Sequence, residues 1–153
     1  MILTHCPFVP TPHSDNWNPD SPGSASYKGE EVYFSDMVEY VDHLVGKIEN
    51  VLKENNLIEN TYLIFTGDNG TDRPVVSEFN GYNFPGRKGT MTDGGTHVPL
   101  IVSCPGTVDE SVNSDLIDFS DFFPTLCEIA EVKLYKENYL LDEITAKLLS
   151  IRN

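Results

Sequence analysis

Three stretches of this chain bring together residue types that could do chemistry on an anion. The first is Gly67-Asp68-Asn69-Gly70, a carboxylate and a carboxamide side by side between glycines. Together they offer a charged and a neutral oxygen, the hard donors that Ca²⁺ or Mg²⁺ takes. Asp-Asn-Gly is equally ordinary turn chemistry, and these four residues alone read more readily as a turn. The second stretch is Arg87-Lys88-Gly89-Thr90, continued by Asp93-Gly94-Gly95-Thr96-His97. Lys88 is a point charge for an anion, and the glycines let backbone N–H groups approach it across a flexible backbone. Taken by itself, a Lys beside glycines is usually a solvated loop residue. The third is His5, just past the apolar run Ile2-Leu3-Thr4 and before Cys6-Pro7. It could donate to an anion, although a lone histidine is more often structural.

The elements that must position these residues can be read from the hydrophobic pattern. Met37, Tyr40, Val41, Leu44, Val45, Ile48, Val51 and Leu52 recur at steps of three and four. That spacing predicts an amphipathic helix over 35–56, with Ser35 as its N-cap and Asp36 in its first turn. Residues 61–66 are a short apolar run of β-formers between Asn60 and Gly67, and predict a buried strand delivering Asp68 and Asn69 at its C-terminal end. Ligands of open α/β sheets bind just there. Residues 71–97 read as Gly-rich and irregular. Val98 to Ser103 predicts a second buried strand, and Asp118 to Ala130 a helix in which Pro124 is tolerable only in the first turn. A further helix is expected over 138–151. The chain opens on what reads as the tail of a strand, and Pro7, Pro10, Pro12, Pro19 and Pro22 mark a long loop up to Gly29. Strand, helix, strand, helix is the grammar of an α/β domain with a parallel sheet.

Composition narrows the function classes. The 153 residues fit one domain, and 39% hydrophobic with 22% charged residues is within reach of a folded one. Ten Lys and Arg against 24 Asp and Glu give a formal charge of −14, which repels phosphate backbones and argues against nucleic acid as a partner. The same field offers any anionic substrate no general attraction, so such a substrate would need a metal or a few local cations. No apolar stretch is long enough for a membrane span, and the N-terminus carries no signal-peptide pattern. Cys6, Cys104 and Cys127 are odd in number and far apart, fitting neither a disulfide scaffold nor a zinc site.

In order and spacing, these pieces resemble the sulfatases of the alkaline-phosphatase-like superfamily. Thr4-His5-Cys6-Pro7 resembles the family's strand end with a sulfate-contacting His. Residues 57–70 resemble its helix end, strand and metal-binding Asp-Asn. Residues 86–101 resemble its Lys-Gly-Thr and Gly-Gly segment, and residues 118–126 its later helix. The resemblance implies an α/β fold, here a fragment of a doubly wound, mainly parallel sheet with flanking helices, over residues 1–132. Residues 133–153 are expected to be a helical tail of separate relationship. It implies Asp68 and Asn69 as ligands of Ca²⁺, with Mg²⁺ as the alternative, and Lys88 and His5 as sulfate contacts. Asn69 matters further, because phospho-specific relatives usually carry Asp-His at this place. Two departures stand out: His97 where many members carry Arg, and Glu131 where a Gly usually follows the helix.

The implied activity is hydrolysis of sulfate esters, on a sulfated small molecule or glycan. Parent sulfatases are often exported to the periplasm, the extracellular space or the lysosome. The family's nucleophile is a formylglycine made from Cys or Ser in a Cys/Ser-x-Pro-x-Arg motif. None of Cys6-Pro-Phe-Val-Pro10, Cys104-Pro-Gly-Thr-Val108 or Cys127-Glu-Ile-Ala-Glu131 fits it. The expectation is therefore a half-site: weak metal binding, no turnover by this chain alone, and self-association or pairing with a missing N-terminal half. The competing expectations are a non-catalytic binding or assembly module and a fragment of a phosphoesterase of the same superfamily.

Overall fold

A computed structural model describes residues 8–20 and 30–132. His5, the strand tail at the start of the chain and the helix expected over 138–151 lie outside the described residues. The chain divides into two compact units, Met1–Val102 and Ser103–Asn153.

In the first unit, residues 8–20 form turns rather than regular structure, and they are fastened to the helix that follows. The Phe8 ring meets Phe34 edge-on at 5.3 Å, and the Glu30 amide donates to the Phe8 carbonyl at 3.0 Å. The Asp36 carboxylate accepts from the Ser14 hydroxyl and from Asn16 Nδ2, and the Asp36 carbonyl accepts from Thr11 Oγ1. His13 lies over His43, their ring centroids 4.1 Å apart. A 3₁₀ turn, Glu31–Tyr33, leads into helix α1, Phe34–Glu54. Its start corrects the expectation for Ser35. Tyr33 occupies the N-cap, and the preceding 3₁₀ turn places Ser35 inside the helix, its hydroxyl donating back to the Val32 carbonyl. The predicted stripe is partly covered: Met37, Tyr40, Val41, Leu44, Val45 and Leu52 are half-buried, while Ile48 and Val51 are exposed. The helix ends where Asn56 turns left-handed (φ 55°). There the Leu57 amide reaches the Leu52 carbonyl and the Asn56 amide the Lys53 carbonyl, a Schellman close.

Strand β1, Leu63–Thr66, pairs with strand β4, Leu100–Ser103. Between them, residues 71–97 are not irregular as expected. Strands β2, Val76–Phe79, and β3, Tyr82–Pro85, form an antiparallel hairpin in the register Val76↔Pro85 to Phe79↔Tyr82. Its two-residue loop is Asn80-Gly81, both at positive φ (52° and 77°), the type I′ turn whose twist matches the strands it joins. One helical turn, α2, Asp93–Thr96, follows before β4. The described strands make two two-stranded sheets, which by themselves show neither the extent nor the mainly parallel order of the sheet expected. Nor are β1 and β4 buried on both faces: β1 is half-buried throughout, and β4 alternates, with Ile101 58% exposed. Each has one paired neighbour among the described strands, and their faces lack the full cover that a central parallel strand requires. No helix among the described residues is long and apolar enough to cross a membrane.

The described part of the second unit holds a buried Cys104 and a short helix that is capped at both ends. A 3₁₀ turn, Phe119–Asp121, runs into α3, Phe122–Ile129, with Pro124 in the first turn as its chemistry demands. Asp118 accepts from the Ser120 hydroxyl and amide, both at 2.6 Å, and Asp121 Oδ2 accepts from the Asp118 amide at 2.9 Å, a reciprocal capping box. The Ser120 hydroxyl, and then its amide, hold the Asp118 carboxyl below the ordinary carboxylate range. At the other end the Val132 amide donates to the Cys127 carbonyl and the Glu131 amide to the Glu128 carbonyl, which requires Glu131 to be left-handed, at φ 57°. This is the place where the sequence departs from a usual glycine, and the side chain there is strained because its Cβ crowds the backbone. Glu131→Gly is expected to raise stability by about 0.5–1 kcal/mol, read as a higher urea midpoint with an unchanged slope. A lower midpoint would show that the Glu131 side chain contributes more than its backbone costs.

Candidate functional site

The predicted site residues sit on two loops, and backbone hydrogen bonds sew these loops together. The first, residues 67–72, leaves the end of β1. The second, residues 86–96, leaves the end of β3. The hairpin β2–β3 returns the chain to where it started, with the Gly86 amide on the Val75 carbonyl (2.8 Å) and the Lys88 amide on the Thr71 carbonyl (3.0 Å). Further along, the Gly70 amide donates to the Gly95 carbonyl at 2.9 Å and the Arg87 amide to the Gly94 carbonyl at 3.1 Å. Residue 88 is thereby fixed against residue 71, two positions from Asn69.

This closeness depends on missing side chains. A Cβ at Gly70 would fall inside the contact radius of the Gly94 carbonyl oxygen, and one at Gly95 would overlap the Thr90 and Arg87 carbonyls. The second loop also braces itself: the Thr90 hydroxyl donates to the Arg87 carbonyl (2.8 Å) and lies 2.7 Å from the Thr92 hydroxyl. The glycines therefore do not supply a flexible backbone for Lys88, as the sequence suggested. They allow a rigid one.

The side chains of Asp68, Asn69 and Lys88 stand on this frame with their polar ends unengaged. Asp68 is exposed, while Asn69 and Lys88 are half-buried. Among the described residues, none of the three side chains takes part in a hydrogen bond or an ion pair. A carboxylate and a carboxamide at a strand end thus keep their oxygens available to a hard cation, and Lys88 keeps its charge available to an anion. These two donors are a partial set: among the described residues no three His, Cys, Asp or Glu side chains gather as a metal site. Asp68 and Asn69 suit Ca²⁺ or Mg²⁺ in kind and need oxygen donors from elsewhere to complete the coordination. His97, noted for replacing an Arg, pairs with Asp93 at 3.0 Å, both side chains about three-quarters exposed, a surface contact of little weight.

Sequence reasoning missed one residue that the fold brings to this region. Arg73, Pro85, Gly86, Arg87 and Thr90 line a cavity of about 420 Å³. Arg73 directly follows the first loop, and its signal in the sequence was rarity: it is one of only three arginines in the chain.

A sequence model of the sulfatase family matches residues 8–132. A sulfatase of Formosa agariphila is 38% identical over 111 residues, 66% of this chain and 20% of that protein. An uncharacterized sulfatase of Escherichia coli is 32% identical over 132 residues, 82% of this chain and 23% of its own length. An arylsulfatase of Hemicentrotus pulcherrimus is 29% identical over 123 residues, 80% of this chain and 22% of its own. The chain thus spans about a fifth of the length of these relatives.

Replacing Gly95 by Ala tests the clamp. It is expected to destabilise the first unit by about 1–3 kcal/mol, the scale of an overpacked methyl group that meets backbone. Amide exchange should quicken at Gly70, Arg87 and Lys88 and stay unchanged in α3. Unchanged exchange at Gly70 would show that the two loops do not depend on each other.

Proposed function

This chain belongs to the sulfatase family, and we propose that it supplies the metal-and-sulfate half of a sulfate-ester hydrolysing site. Asp68 and Asn69 are two oxygen ligands of a Ca²⁺-type cation, and Lys88 is a sulfate contact, with His5 as a second. The observation that carries this reading is the clamp between the loops, which sets an unengaged acid–amide pair and an unengaged Lys on one rigid frame. Preorganised charge of this kind stabilises a developing anion without reorganising when the reaction occurs. The cation, when bound, would neutralise sulfate oxygens and act as a Lewis acid. Lys88 holds the anion against the strongly acidic field of the rest of the chain. On this reading β1 and β4 are neighbouring strands of a larger, mainly parallel sheet.

The chain alone does not turn over sulfate esters, because none of its cysteines or serines lies in the nucleophile motif and removal of a nucleophile leaves only residual binding terms. An aryl sulfate incubated with the pure chain and Ca²⁺ should show no hydrolysis above buffer. Calorimetry should find Ca²⁺ binding no tighter than roughly 10⁻⁴–10⁻³ M, the weak end of the protein range, and lost in Asp68→Ala. Hydrolysis that vanishes in Lys88→Ala, or a micromolar Ca²⁺ site, would show instead that the chain completes the site by itself.

A second reading, assembly with another chain, rests on uncovered apolar surface. Among the described residues the buried apolar side chains are few, Phe8, Pro10, Val75, Cys104 and Pro124, and α1 buries none fully. Val38, Ile48, Val51, Val76, Tyr82 and Ile101 are all more than 40% exposed. Covering such area stabilises by about 25 cal/mol per Å², less the cost of association. Light scattering across a hundredfold concentration range should show a mass that rises with concentration. A constant 17.1 kDa would rule out self-association.

A further inference from the structure

We infer that Arg73 and Arg87 form a second anion subsite, which holds an additional acidic group, sulfate or carboxylate, of the molecule whose sulfate ester Lys88 contacts. The inference rests on the function proposed above and narrows it to substrates that carry at least two acidic groups.

Several observations lead to it. The chain holds ten Lys and Arg against 24 acids, yet Arg73, Arg87 and Lys88 fall within 16 positions of one another. Two of the chain's three arginines line one cavity of about 420 Å³, within the range of pockets that take small ligands. Both arginines are exposed, and the chain offers 24 carboxylates that either could meet. Among the described residues neither of these has one within ion-pair distance: the pairs found there are Lys53 with Glu49 and His97 with Asp93. Both guanidinium groups thus keep their forks of donors, which match the oxygens of a sulfate or a carboxylate better than an ammonium does.

Position ties the cavity to the proposed site. Arg87 adjoins Lys88 in the chain, and its amide is bonded to Gly94. Its stem lies over Gly94, where an added Cβ would come 3.1 Å from the Arg87 Cγ. Arg73 is three residues from Gly70, whose amide is bonded to Gly95. The Thr90 side chain, braced on the Arg87 carbonyl and the Thr92 hydroxyl, closes another part of the lining. The cavity is therefore built on the same clamped backbone as Lys88. A molecule with one acidic group at Lys88 and another at the arginines gains both contacts with little ordering cost.

The test uses the whole chain, labelled with ¹⁵N, and three disaccharide probes: one with two sulfate groups, one with a sulfate and a uronate carboxylate, one with a single sulfate. The disulfated probe should bind at least about tenfold tighter than the monosulfated one, with shifts in the Nε–H signals of Arg73 and Arg87. In R73Q/R87Q that preference should vanish while the monosulfated affinity holds, and R73K/R87K should restore part of it. Whichever two-acid probe binds tighter identifies the group the arginines prefer. The inference is overturned if the unmodified chain shows no preference, or if R73Q/R87Q keeps it with a native amide spectrum. Lys88→Gln separates the two readings. Loss of monosulfated binding there supports the proposed site whatever the arginines do, and unchanged binding counts against Lys88 while the arginine signals still report on the cavity.

Discussion

The approach of two backbones, at Gly70 and Gly95, is the constraint on which the rest of the first unit's chemistry depends. The hydrogen bond between them needs the chains nearer than any side chain at Gly70 allows, and Gly95 can sit there because it has no Cβ to meet the Thr90 and Arg87 carbonyls of its own loop. Given that approach, the loop carrying Asp68 and Asn69 and the loop carrying Arg87 and Lys88 become one frame. Without it they would be two separate surface loops, each ordered at its own entropic cost.

The hairpin β2–β3 is what makes this approach cheap. Its Asn80-Gly81 turn reverses the chain within two residues and sends β3 back along β2, so that Gly86 meets Val75 and Lys88 meets Thr71 without a long closure. Function and local geometry are thus coupled through a piece of structure that carries no reactive group. The exposed tip of that hairpin, with Tyr82 72% exposed, has no part in the clamp.

Electrostatics follows from the same frame. On the proposed function, a chain of charge −14 confines its attraction for anions to a small place, the clamped loop that carries Arg87 and Lys88. Asp68 lies near the same loops, and a carboxylate there would oppose an anion unless a cation stands between them. That opposition is the physical argument for reading Asp68 and Asn69 as metal ligands rather than as turn residues.

Much of this was legible in the residues. The three- and four-residue spacing from Met37 to Leu52 specified α1 because burying one stripe of a helix is a local, periodic requirement. Asp118, Ser120, Asp121 and Pro124 specified the start of α3 through capping chemistry that acts within four residues. Asp68 and Asn69 could be placed at a strand end because β1 is bounded by turn residues on both sides. The hairpin was legible too, in Asn80-Gly81 between apolar residues, though the many glycines around it masked the signal. Other features belonged to the tertiary structure alone. Nothing in the sequence said that Gly70 would lie against Gly95, since contact between residues 25 positions apart depends on how the intervening hairpin folds. Nor could spacing bring Arg73 to the cavity of Arg87, or tell that β1 would be only half-buried and β4 exposed on one face. Sequence determines what is decided by neighbours along the chain; which backbone meets which, and which charge is left without a partner, is decided only when the chain has folded.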